Sequence, residues 1–118
     1  MTNSVRSEDR QATRIGALVH LIGFMLGPFG AALVVRHSKN EFTQVNARNA
    51  LNWQLAVYGG IIIGFLMGAV LINLGASMFV TYAALVLVVL FNVVSCPLAA
   101  YRATRGEAWE YPFEPKFV

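Results

Sequence analysis

Few side chains in this sequence could do chemistry. His20, Asn49, Asn52, Gln54, Asn92 and the lone thiol Cys96 are polar or reactive groups set within or at the edge of long apolar stretches. An ionisable group in such surroundings is costly to bury, which makes His20 the first candidate for proton or substrate handling. A relay would need a carboxylate beside it, and the apolar stretches contain none. The expected state is a neutral imidazole bonded to a helix carbonyl or to a partner such as Asn52. His20 and Asn92 form the candidate intramembrane polar site.

Other chemistries lack their parts. One Cys and two His do not supply a metal site, and no cofactor is expected. Apolar surroundings disfavour the Cys96 thiolate, and a single Cys allows no intrachain disulfide. With no paired carboxylates and no nucleophile with its base, the chain is not expected to be an enzyme. Its net charge is +3, but no interleaving of aromatic and basic residues accompanies it, so nucleic acid is not an expected partner.

The elements that carry these residues are dictated by hydropathy. Of 118 residues, 57% are hydrophobic and 13% charged, where a soluble domain carries about a quarter charged residues. Arg, Lys, Asp and Glu are absent from 15–35 and from 51–101. Lipid is therefore the expected solvent for both blocks. As a helix, the first block would extend about 31 Å, one bilayer crossing. The second is long enough for two crossings, 51–72 and 78–101, with an uncharged turn at Asn73, Gly75 and Ser77. A polar tail, 1–14, precedes one membrane domain, 15–118. Gly30-Ala31-Ala32 is a poor signal-cleavage match, so the first block is read as retained.

The fold class expected is an all-α integral membrane bundle of three hydrophobic segments plus an interfacial amphipathic helix at 42–52. Ser38 or Asn40 would cap that helix. On a helical wheel, Gln44, Arg48 and Asn52 share one face, Asn46, Asn49 and Trp53 an adjoining one, and Ala47, Ala50 and Leu51 the opposite one. Trp53 would sit at headgroup depth. The tail from Gly106 repeats the interfacial chemistry with Trp109, Tyr111, Phe113 and Phe117. It could fold back over the 49–53 joint and bring Glu110 toward Arg48.

Gly23, Gly27, Pro28 and Gly30 interrupt the first block, which either crosses with a kink at Gly27-Pro28 or enters the membrane and returns. With three crossings, Arg36, Lys39, Arg48, Arg102, Arg105 and Lys116 face Arg6, Arg10 and Arg14 across the membrane. With a re-entrant first block, all nine cations share one side, and in either case the C-terminus is expected in the cytoplasm. Ala56, Gly60, Gly64 and Gly68 recur every four residues, a spacing that lets helix backbones approach closely in lipid. Together with Asn49, Asn52, Trp53 and Gln54, the glycines are the candidate packing or partner interface, within the chain or by self-association. Pro97 would free a carbonyl near Val93, for Asn92 or Ser95 to satisfy.

His20 with Gly27-Pro28, the run Asn49-Ala50-Leu51-Asn52-Trp53-Gln54, and Gly106-Glu107 followed by Tyr111-Pro112-Phe113 resemble a family pattern. It is that of small prokaryotic membrane proteins grouped as distant relatives of the Tic-twenty subunit of the chloroplast protein-import translocon. The similarity extends over about 15–118, with Asn46 and Asn49 where that family often has His and Glu, and Trp53 where Phe is usual. The resemblance implies a compact helical domain of a prokaryotic plasma membrane. Its implied role is subunit or accessory factor of a membrane protein complex, with translocation or insertion as the analogy, and with lipid and other membrane proteins as partners. A small self-associating channel or transporter, with His20, Asn92 and Asn52 lining a polar path, is the alternative.

Overall fold

The computed structural model describes residues 8–112 and 115–118, and its regular elements are four helices. They are α1 (Arg10–Leu26), α2 (Pro28–His37), α3 (Glu41–Asn73) and α4 (Met78–Thr104). The expectations for residues 1–7 and for Phe113 lie outside the described residues.

Three of the four helices begin where the sequence supplies a side-chain acceptor for a free N–H; α2, entered through Gly27, has none. Asp9 caps α1 through Gln11 N, Asn40 caps α3 through Thr43 N, and Ser77 caps α4 through Phe79 N. The Asp9 cap carries α1 back through 10–14, residues the sequence reading placed in a polar tail. Gly75, at φ +83°, makes the α3–α4 turn, in the left-handed region that glycine enters without strain.

The first apolar block is divided at Gly27, whose φ of +66° and ψ of −151° are open essentially to glycine alone. Pro28 then starts α2 at a position where its missing N–H removes nothing the helix needs. The chain reverses here. A Cβ built on Gly30 would lie 2.4 Å from Ile22 Cγ2 and 3.1 Å from Ile22 O, eight residues back, a contact no continuous helix allows.

Helix α1 runs alongside α3. Gly16 lies against Phe42 and Asn46, Gly23 against Ala50 and Gln54, and Gly27 beneath Tyr58. Together with α2 and the end of α4, these segments form a four-helix head. Its core is rich in alanine: Ala12, Ala17, Ala100 and Ala103 surround Phe42, while Ala31, Ala47 and Ala50 surround Val19. Such small side chains let helices pack closely where burial from lipid supplies little hydrophobic drive.

Beyond the head, α3 and α4 continue as a two-helix arm. Past Val57 only Gly68 is buried on α3, and on α4 nothing is buried before Ser95. Within the arm, Gly64 faces Leu85 and Gly68 faces Thr81.

Residues 42–52 are not a separate interfacial helix. They are the first third of α3, and most of them are buried by the head. The sequence reading placed this stretch at the membrane interface. The structure instead covers them with α1, α4 and the C-terminal segment, which satisfies them internally.

Gly27→Ala is expected to destabilise the fold by about 1–3 kcal/mol through backbone strain alone. The new Cβ would also lie 2.8 Å from the Tyr58 ring. Gly59→Ala, with nothing within 4 Å, is expected to be near neutral. Thermal melts of the two variants in detergent micelles check the contrast.

Candidate functional site

The sequence-predicted polar residues converge in a seam on the inner face of α3, closed by the C-terminal segment. His20 on α1 and Asn46 on α3 are fully buried. Asn46 Nδ2 donates to Phe42 O (2.9 Å), which leaves its Oδ1 to accept from His20 Nε2 (2.9 Å). His20 Nδ1 then accepts from the Tyr111 hydroxyl (2.7 Å). In the neutral imidazole this pattern puts the proton on Nε2. The partner is thus Asn46, not Asn52.

The seam continues on the other side of Tyr111, whose ring stacks on Trp53 at 4.9 Å and 9°. Trp53 is buried rather than set among headgroups. Its Nε1 donates to Asn92 Oδ1 on α4 (2.9 Å), which also takes Gln54 Nε2 (3.3 Å) and Cys96 Sγ (3.1 Å). Asn92 therefore joins α4 to α3 instead of mending the helix above Pro97. Among the described residues, Gln54 Oε1 and Thr43 Oγ1 are buried with no hydrogen-bond partner.

The two remaining amides hold the chain end. Asn49 Nδ2 donates to Trp109 O (3.1 Å), and Asn52 Oδ1 accepts from the backbone N–H of Phe117 (3.1 Å) and Val118 (2.9 Å). The C-terminal segment does fold over the 49–53 joint, but Glu110 pairs with Lys116 rather than Arg48. Sequence reasoning missed Asn46 and Tyr111 as members of the seam. Asn46 was legible as a polar residue sharing a helical face with Asn49 and Trp53, whereas nothing local marks Tyr111.

His20, Asn52 and Asn92, expected to line a polar path in the channel alternative, all bond to groups of the same chain. Among the described residues, no three His, Cys, Asp or Glu side chains come together as metal ligands. Of the glycine stripe, Gly64 and Gly68 pack within the arm. Gly60 has nothing within 4 Å and lines an apolar groove of about 370 Å³ with Trp53, Phe91 and Pro112.

Two helices, α3 and α4, are long and apolar enough to cross a membrane. They are not core helices of a soluble fold, since only 11% and 22% of their most apolar windows is buried. These features define a helical integral membrane protein held together by an uncharged buried polar seam. The chain belongs to the magnetosome magnetite crystal formation protein family, MamF/MmsF, which it matches over residues 11–118. No curated protein and no solved structure matches it. The family match overturns the resemblance to relatives of the Tic-twenty subunit, for which no relationship is shown, and the translocation role implied by that resemblance goes with it.

Tyr111→Phe keeps the ring on Trp53 but strips His20 Nδ1 of its donor, at an expected cost of about 1–3 kcal/mol. His20→Leu should cost a similar amount. Because the two side chains share one bond, the double variant is expected to lose less than the sum, by about 0.5 kcal/mol or more. Chemical denaturation in micelles, with all three variants compared, measures the coupling.

Proposed function

We propose that this chain is a non-enzymatic protein of the magnetosome membrane, a subunit or accessory factor of an assembly that supports magnetite crystal formation. Its α1–α2 hairpin enters one leaflet and returns, α3 and α4 cross, and the head and C-terminal segment face the cytoplasm. Family membership supports the setting.

The observation that carries the orientation is the distribution of charge. Every described Arg, Lys, Asp and Glu lies on the head, on Lys39 between α2 and α3, or on the C-terminal segment. The turn at the far end of the arm carries no charge. Cation-rich segments favour the cytoplasmic side.

This orientation has a chemical consequence. Iron ions and oxide surfaces bind hard anionic oxygen ligands, and the turn offered to the compartment side has only Asn73, Ser77 and backbone. In this reading the chain influences the crystal through the membrane and through partners met by the head, not through carboxylates laid on the mineral.

Thiol labelling tests the topology in a Cys96→Ser background. On isolated magnetosomes, Lys39→Cys is expected to react with an impermeant maleimide without detergent, and Ser77→Cys only after permeabilisation. The reverse pattern overturns the orientation. Gentle detergent extraction is expected to recover the chain with other magnetosome membrane proteins; consistent migration as a lone monomer would remove the assembly role.

A further inference from the structure

The two halves of the molecule differ in width along the membrane normal. The turn at Gly27 meets Tyr58 of α3. From Arg48, the deepest charge on α3, to Tyr58 is ten residues, about 15 Å, which is half of a hydrocarbon core of about 30 Å. From Tyr58 to Asn73 the helix continues about 22 Å farther with only α4 beside it. The head-side leaflet therefore holds four helices and the far leaflet two.

The extra pair is built to lie in lipid. Its turn carries large apolar side chains pointing outward: Met25 is 79% exposed and Phe29 80%, with Leu26 and Phe24 beside them. An apolar surface of this kind needs cover, and at this depth acyl chains supply it. Irregular backbone is tolerated in hydrocarbon only where protein shields it, and Gly27 is buried beneath Tyr58. Pro28 lowers the demand further, since it has no N–H to satisfy.

The geometry points to a membrane wedge: the α1–α2 hairpin roughly doubles the protein's cross-section in the head-side leaflet alone, so the chain favours and promotes bilayers that are convex on that side. Its ligand is the lipid surface, and the selected property is curvature. The inference rests on the half-depth placement of the hairpin proposed above. It does not depend on which side the head faces in the cell, or on the crystal, so its failure in synthetic vesicles would leave the assembly role standing.

The test uses the full chain reconstituted into small sonicated and large extruded vesicles of phosphatidylcholine and phosphatidylglycerol. Copies with the head outward are identified by impermeant labelling of Lys39→Cys. Their density per membrane area is expected to be several-fold higher on the small vesicles, with head-inward copies depleted there. Equal density of head-outward copies on both vesicle sizes, or enrichment of head-inward copies on small ones, would overturn the wedge.

Discussion

The structure depends on one constraint: the amides that α3 carries to membrane depth must find hydrogen-bond partners inside the protein. In hydrocarbon no water competes for or rescues an unpaired polar group. Asn46, Asn49, Asn52 and the Nε2 of Gln54 meet this with partners distant in sequence, namely His20 on α1, Asn92 and Cys96 on α4, and the C-terminal segment, while Gln54 Oε1 is left without one. Each bond is modest by itself. Together they specify which helix lies beside which, a role that the non-directional packing of alanines and leucines cannot fill.

Packing then divides the molecule in two. Where small residues and the seam coincide, between Phe42 and Val57 on α3 and between Ser95 and Ala103 on α4, helices are buried on several sides. Where the amides stop, the arm closes through apolar contacts with close approaches at Gly64 against Leu85 and Gly68 against Thr81. The arm's outer surface, from Ile62 to Leu90, is apolar and exposed, so its order is shared with the bilayer. The head is an internally specified fold, and the arm is a lipid-supported extension of two of its helices.

Much of this was legible in the sequence, and the reasons for the rest are physical. The charge-free blocks announced lipid, and Gly75 with Ser77 marked the turn, because both signals are local. Gly27-Pro28 identified the place where the first block breaks; whether the halves continue or fold back is set by the contact of Gly30 with Ile22, which no local pattern encodes. Reading 42–52 as an interfacial helix assumed that polar faces seek headgroups. That rule fails when a neighbouring segment carries complementary donors, as Tyr111 and the backbone of Phe117 do. The glycine stripe gave the right spacing, but Gly60 and Gly64, one turn apart, meet open space and Leu85 respectively.

The seam's chemistry also bears on function. Every side chain that His20 touches through a ring nitrogen is neutral, and the chain of bonds ends at Asn92 and Gln54, level with the upper part of α3. A route for protons or ions would have to continue along the arm to the far turn, past Ile61, Phe65 and Leu85, a stretch where Thr81 and Tyr82 place hydroxyls among apolar side chains. Conduction needs a polar path across the full thickness, and within one copy the hydrogen-bonded seam ends at Asn92 and Gln54. Its position fits another task. Set where α1 and α2 lie against the first half of α3, and closed by Tyr111 and Trp53, the seam fixes the hairpin beside that half alone, so that the unequal width of head and arm follows from the hydrogen-bonded partners of α3 and not from packing by itself.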